Sequence, residues 1–479
     1  MVCLRRVGRL AAGLCLAVLW SACSDTQPLG PDRAPASFEV ARAGQGARRH
    51  VILLREGSAA DLTAAVEQAG GKVLRSYGEI GALSVTGLGE AAVLALARRP
   101  EVEGINPDVT VRWIPPGRTQ FRRLVRFAGP AVGPRTDQRS AFFFNVWQWN
   151  LRVIRADQAW LATNQGRGTL VCVLDSGIDP SHIDLQGKVD AGLSASFVSG
   201  EPALTDLAGH GTFVAGLISS NGLGIGSVAP DTRLCSVKVL GGDGSGSFDD
   251  LIAGILYVAR IRADVANMSL GAYFSRKEEG AKELLKALQR ALDFASRRGV
   301  LLVAAAGNDG VDTNTDPKDF IAVPAEMDHV VSVGATAPVN QLDFDRIASY
   351  SNVGKSGVDV FAPGGDFVAG SVFQDLIIAP CSPSIADPDI GTCTPFDYLI
   401  GAGTSFAAPH VSGEGAVIES ELRGNRDGDA LAACILNTAD PVTGRRIDPL
   451  YGRGRIDVLR GAACRSGGSR ATLVGAPPR

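Results

Sequence analysis

Val171-Cys-Val-Leu-Asp175-Ser-Gly177 is an apolar run that stops abruptly at an acid and a turn. From Leu170 to Leu174 it is short and unbroken by polar residues, so it reads as a strand buried on both faces. Four further runs of this kind follow, at Arg233 to Leu240, Asp264 to Leu270, Val300 to Ala305 and Val330 to Ala335. Helical patterns lie among and after them, at Phe248 to Ile261, Glu278 to Arg298 and Ala407 to Leu422. Buried strands alternating with helices imply an α/β fold, a mostly parallel sheet flanked by helices on both faces. In such sheets ligands bind beyond the carboxyl ends of the strands, where Asp175 stands. Taken alone, an Asp-Ser-Gly turn after a strand is commonplace.

Upstream the chain changes character. Its 479 residues are enough for two or three domains. Arg5, Arg6 and Arg9 precede the apolar run Leu10 to Trp20, with no acid in the first 22 residues. A basic start, a short apolar stretch and Ser21-Ala22-Cys23 make residues 1–22 an export signal, too short to need reading as a membrane span. Cys23 opens a Ser-, Asp- and Pro-containing segment, so it is a candidate lipid site, although Trp20 stands where that pattern usually carries Leu. Residues 23–47, with Pro28, Pro31 and Pro35, read as a disordered tether.

Residues 48–112 carry eight basic and eight acidic side chains and have clear periodicity. His50 to Leu54 reads as a strand, Ala59 to Ala69 as a helix, and Gly71 to Ser76 and Ala82 to Thr86 as strands. Gly89 to Arg99 reads as a helix and Val102 to Val111 as a last strand. That order, β-α-β-β-α-β, is that of a small α+β ferredoxin-like unit. Residues 113–150 carry six arginines against one acid, which reads as a mobile basic linker despite Phe142-Phe-Phe144, Trp147 and Trp149. Residues 151–464 form the main domain and 465–479 a tail.

The net charge of −3, from 47 basic and 50 acidic side chains, argues against a dedicated nucleic-acid binder. Beyond the signal six cysteines remain, and an exported chain can oxidise them. Cys381 and Cys393, flanking a Pro-containing stretch, are the preferred pair, with Cys434 and Cys464 next. No CxxC spacing suggests structural zinc.

Two more blocks carry chemistry. In Gly209-His210-Gly211-Thr-Phe-Val-Ala-Gly216 a histidine between two glycines opens a helix. Only five histidines exist in the chain, so a near-neutral base has few candidates. In Gly401-Ala-Gly-Thr-Ser405-Phe-Ala-Ala-Pro409-His-Val-Ser-Gly413 a glycine-rich loop runs into an apolar helix. A serine at a helix N-terminus can act as a nucleophile, because developing negative charge is favoured there; it can equally be an N-cap.

Asp, His and Ser in that chain order are the order of subtilisin-type triads. The sequence resembles the subtilisin-like serine proteases, the subtilase family, from Trp149-Asn-Leu151 to about Cys464, closing with Tyr451-Gly-Arg-Gly-Arg-Ile-Asp457. The resemblance implies that Ser405 attacks the scissile carbonyl, His210 shuttles the proton and Asp175 orients the imidazole. It matches Asn308, in Val303-Ala-Ala-Ala-Gly-Asn308, to the family's oxyanion donor. Ser269, Leu270 and Gly271 match the edge of the substrate cleft, where a peptide pairs in β fashion. With Ala304, Ala305, Ala306 and Gly307 they are expected to wall an apolar pocket that prefers large hydrophobic side chains. Phe406 departs from the methionine often found after the serine.

The resemblance also makes residues 48–112 an inhibitory prosegment, with Pro100-Glu-Val-Glu-Gly-Ile-Asn-Pro-Asp108 as its closing portion. Its tail is expected in the cleft, with self-cleavage between Val109 and Val146. The implied partners are peptide and protein substrates and the chain's own prodomain; no nucleic acid is implied, and a membrane only through a lipid anchor. Catalysis needs no cofactor. The family often binds structural calcium, but no loop identifies a metal site, and Asp179, His182 and Asp184 read as solvated loop residues. A non-catalytic binding module on the same scaffold is disfavoured because no triad residue is missing, and an esterase or acyltransferase remains distinguishable by substrate.

Overall fold

The computed structural model describes residues 49–464, apart from 57, 59–60, 115–119, 124–136, 278–280, 316–318 and 423–426. The export signal, the tether and the tail expected from the sequence lie outside the described residues. Seven strands form the central sheet, in the order Val360–Pro363, Val330–Thr336, Leu301–Ala305, Val265–Met268, Leu170–Asp175, Arg233–Lys238 and Ala195–Ser196. Every neighbouring pair runs parallel, so the expected mostly parallel sheet is wholly so.

Strand Leu170–Asp175 explains why its sequence is apolar throughout. Successive side chains point to opposite faces. Val171 and Val173 pack with Phe213 and Leu217 of helix His210–Ile218 and with Phe406 and Val411 of helix Thr404–Leu422. Leu170, Cys172 and Leu174 join Leu251 and Ile255 of helix Phe248–Arg260 and Leu288 of helix Ala281–Arg297 on the other side. Helix Thr404–Leu422 is buried from Thr404 to Glu419, so it runs through the body rather than along its surface. Among the described residues no helix is long and apolar enough to cross a membrane.

Residues 50–107 form a separate antiparallel sheet in the order Lys72–Tyr77, Ala82–Thr86, His50–Leu54, Val102–Pro107. Helices Thr63–Gln68 and Glu90–Ala97 complete the expected β-α-β-β-α-β order. Ile52, Leu54, Val85 and Val102 pack under those helices with Val66 and Leu96. Val51, Leu53 and Tyr77 face the other way, onto the Phe248–Arg260 and Ala281–Arg297 helices of the main domain. Ionic contacts rim this second face. Arg75 reaches Asp249 at 2.6 Å and Asp250 at 2.7 Å, and Glu103 pairs with Lys286 and Arg290.

Two expectations need correction. The last strand of the small unit does not run to Val111. It ends at Pro107, and Thr110–Arg112 pairs instead with Ser245–Ser247 of the main domain. Nor do the described parts of 113–150 behave as a mobile linker. Gln120–Arg123 adds a third strand to the hairpin Ile377–Pro380 and Tyr398–Ala402, with Phe121 opposite Gly401. Phe143, Phe144 and Trp149 are buried in the main core. The aromatic side chains outweigh the arginines there, because burying each removes far more apolar surface than the charges cost at the rim.

Among the described residues three disulfides are present: Cys172–Cys235, Cys381–Cys393 and Cys434–Cys464. The first joins directly opposed residues of adjacent central strands. The last spans 30 residues and ties helix Gly428–Thr438 to the chain end of the domain. A loop of that size stabilises by about 3–4 kcal/mol in the chain-entropy account.

Candidate active site

Asp175 ends its strand fully buried, and His210 begins its helix 1% exposed. Two glycines allow them to meet. A Cβ on Gly211 would lie 2.0 Å from the carbonyl oxygen of Gly177, so only glycine lets the helix start press against the turn after Asp175. The His210 ring then places Nδ1 at 2.8 Å from Asp175 Oδ1 and 3.0 Å from Oδ2. Oδ1 also accepts the Ser176 backbone N–H at 2.7 Å. With Nδ1 committed to the carboxylate, Nε2 is the nitrogen left over, and it is buried without a hydrogen-bond partner among the described residues.

Ser405 is the second residue of its helix and 6% exposed. Its carbonyl accepts the Ser269 hydroxyl at 2.7 Å. The next residue, Phe406, has its ring centroid 5.7 Å from that of His210. Phe406 is fully buried and stacks 4.2 Å from Phe213. The larger ring in place of methionine thus forms one wall of an aromatic cluster.

Asn308 is held by its oxygen. Oδ1 accepts both the backbone N–H of Thr404 at 2.9 Å and its hydroxyl at 2.7 Å. The amide nitrogen is therefore the end of the side chain free to donate, and Asn308 lines one open pocket of about 470 Å³ together with Ser405. Leu270, Gly271, Ala305, Ala306 and Gly307 line it as the sequence suggested. Ser269 and Ala304 are fully buried behind it, Ser269 bracing the Ser405 carbonyl and Ala304 facing the helical layer. The wall that sequence reasoning missed is Ala272, Tyr273, Ala322 and Val323, from the antiparallel pair Ala272–Ser275 and Phe320–Val323. Only the apolar character of Phe320–Val323 hinted at it.

Asp179, His182 and Asp184 are not solvated, as expected from the sequence, but buried. Asp184 accepts the N–H groups of Leu223, Gly224 and Ile225 and the Tyr398 hydroxyl, which satisfies its charge without a cation. Burial pushes His182 down to about 4, so it stays neutral. Among the described residues no group of three His, Cys, Asp or Glu side chains could hold a metal ion.

The chain's own Trp113 and Ile114 also line the pocket. Gly271 N–H donates to the Trp113 carbonyl at 3.2 Å, and the Trp113 and Ile114 N–H groups reach the Gly244 carbonyl at 3.1 and 3.2 Å. The Trp113 ring lies 5.5 Å from Phe248 and 6.0 Å from Phe274, with its indole N–H on the Gly246 carbonyl.

An imidazole bound to a buried carboxylate, in a chain whose helix-start serine lines a pocket with Asn308, has the parts that serine hydrolases share. The comparisons narrow that class. A family model described as Peptidase_S8, the subtilase family, matches residues 166–454, and the chain belongs to that family: it is a serine-type endopeptidase of the subtilisin-like kind. The thermophilic serine proteinase of Bacillus sp. (strain AK1) is 34% identical over 314 residues, 65% of this chain and 66% of that protein. The major intracellular serine protease of Bacillus subtilis (strain 168) is 34% identical over 275 residues, 56% of this chain and 74% of its own length. Among solved structures, the epidermin leader peptide processing serine protease of Staphylococcus aureus aligns with a TM-score of 0.70. At 22% identity, over 87% of this chain and 98% of that one, it speaks to the fold.

Proposed function

We propose that the protein is an exported endopeptidase made as a zymogen, cutting peptide bonds through Asp175, His210 and Ser405 by way of an acyl-enzyme. His210 Nε2 takes the Ser405 hydroxyl proton as the oxygen attacks the scissile carbonyl. The same nitrogen returns the proton to the leaving amine, and a water repeats the sequence to free the acid. Asp175 holds the ring in the tautomer that leaves Nε2 as acceptor and stabilises the imidazolium. The Asn308 amide N–H and the Ser405 backbone N–H receive the oxyanion. The observation that carries this reading is the His210 ring itself, bound through Nδ1 to a buried carboxylate while Nε2 is buried and unpaired among the described residues.

The zymogen reading draws on the strand Thr110–Arg112 and on Trp113 and Ile114, which lie along the cleft edge as an extended peptide. That occupant also favours amide substrates over simple esters, and the apolar walls suit a large hydrophobic side chain before the cut. Export rests on the basic and apolar N-terminal stretch, and envelope anchoring on Cys23 carrying lipid. The test is Ser405→Ala in the full chain. Peptidase activity should vanish, precursor should accumulate and fluorophosphonate labelling should disappear. Undiminished peptide hydrolysis by the variant rejects the assignment.

A further inference from the structure

The position of His210 depends on a turn that a distant loop grips. Residues 206–209 precede the histidine, and the Asp206 side chain shapes them. Its carboxylate accepts Gly209 N–H at 2.9 Å, Thr212 N–H at 2.8 Å and the Thr212 hydroxyl at 2.6 Å. It also accepts the Ser176 hydroxyl at 2.8 Å, one residue beyond Asp175. These bonds organise the turn from within and tie its inner side to the end of strand Leu170–Asp175.

The outside of the turn is held by residues 381–393, inserted between the strands Ile377–Pro380 and Tyr398–Ala402. The Ser382 hydroxyl donates to the Asp206 carbonyl at 2.7 Å, and the Ala386 N–H to the Leu207 carbonyl at 2.9 Å. Ile385 fills the space against Gly209, where an added Cβ would meet its Cδ1 at 2.6 Å; Gly209 has φ +75°, so a side chain is doubly unfavourable there. The Ser384 hydroxyl bonds Asp179, whose backbone N–H donates to the Thr212 hydroxyl at 2.9 Å. The loop therefore meets the turn Asp206–Gly209 at three points and reaches Thr212 of the helix through Asp179. Cys381–Cys393 closes its base, and both sulfurs are buried.

We propose that the disulfide-closed loop Cys381–Cys393 is a positioning element for the catalytic base, fixing His210 through the turn Asp206–Gly209. This rests on the reading of His210 as general base. The loop contributes no residue to the pocket that Ser405 lines. It makes the geometry of the relay conditional on one disulfide, because without the crosslink an insertion of this length is free to move and the turn loses its outer wall. None of the residues that line the pocket, Thr404 and Ser405 included, belongs to the loop, so substrate binding is not expected to follow.

The test compares Cys381→Ser/Cys393→Ser and Ser382→Ala with a control, Cys434→Ser/Cys464→Ser, whose disulfide ties a distant helix. Paired substitutions are used because a reductant would open all three bridges. In both loop variants kcat should fall by about tenfold or more while KM stays within about twofold. Alkylation of His210 by a peptidyl chloromethyl ketone should slow in step, and Ser382→Thr, which keeps the hydroxyl, should recover most of the loss. The control should lose thermal stability and keep kcat. Wild-type kcat in both loop variants overturns the proposal. So does a control whose kcat falls as far as theirs. If the double-cysteine variant does not fold, Ser382→Ala against Ser382→Thr decides alone. A wild-type protein with no amide hydrolysis and no labelling of Ser405 fails on the reading of the site, not on the loop.

Discussion

Phe121 stands edge-on to His210, its ring centroid 6.3 Å away. The same ring lies 5.3 Å from Phe213 and 5.6 Å from Phe406. Gln120–Arg123 is thus anchored on the strand that leads into Ser405, with an aromatic side chain over the imidazole. Aromatic pairs of this kind contribute about 0.5–1.5 kcal/mol each beyond the area they bury. Phe121→Ala is expected to loosen the strand and uncover His210. Fluorophosphonate labelling of Ser405 in the full chain should be faster than in wild type, and an unchanged rate counts against shielding by Phe121.

The described residues on either side of 115–119 narrow the expected cut. Ile114 lines the pocket beside Ser405, while Phe121 lies against His210 and Phe406. With Ile114 at the pocket and Phe121 at the imidazole, the mature N-terminus is expected after Ile114 and no later than Phe121. Mass spectrometry of the processed protein measures it directly, and a start beyond Phe121 means that the first cut is made elsewhere or by another protease.

Asn308 offers a separation of roles. Its oxygen braces Thr404 and its nitrogen is free to donate. Asn308→Asp keeps an oxygen for Thr404 and removes the donor. It should lower kcat by about 10²–10³, or ~2.7–4 kcal/mol of barrier, with little change in KM or melting temperature. A variant with near-normal kcat removes Asn308 from the oxyanion site.

Asp108 links the small unit to acidity. It accepts the Asp249 N–H at 3.0 Å at the start of helix Phe248–Arg260, and burial first, then the Asp249 charge, push its carboxyl up to about 7. A carboxyl raised on docking favours the docked state when protonated. That stabilisation is full below the ordinary carboxylate range and is lost as pH rises to about 7. In the Ser405→Ala precursor, hydrogen exchange of residues 50–107, corrected for pH, should be more protected at pH ~5 than at pH ~8. Asp108→Asn, which stays neutral, should flatten the difference; an equal slope in both proteins assigns the effect to other groups.

The central sheet was legible because strands buried on both faces leave unbroken apolar runs. Leu170–Asp175 and Leu301–Ala305 fall within a residue or so of their expected limits. The Asp175 and His210 blocks were legible because Gly177 and Gly211 mark their close approach. The same logic failed where tertiary contacts override local composition. Pro107-Asp108 signalled a break that strand propensity hid, since Val109 to Arg112 look equally extended in any sheet. The arginines of 113–150 masked Phe121, Phe143 and Trp149, whose partners are hundreds of residues away or nearly so. His182 and Asp184 looked exposed because nothing nearby in the chain announces the amides of 223–225 that satisfy Asp184.

The groove edge formed by Ser245–Ser247 and Gly271 bonds to peptide backbone rather than to side chains. A client protein must therefore surrender several residues of its own helix or sheet before it can be cut. Vulnerability should follow how readily a target unravels locally, so denatured or frayed chains are expected to be cut while well-folded neighbours bearing the same residues survive.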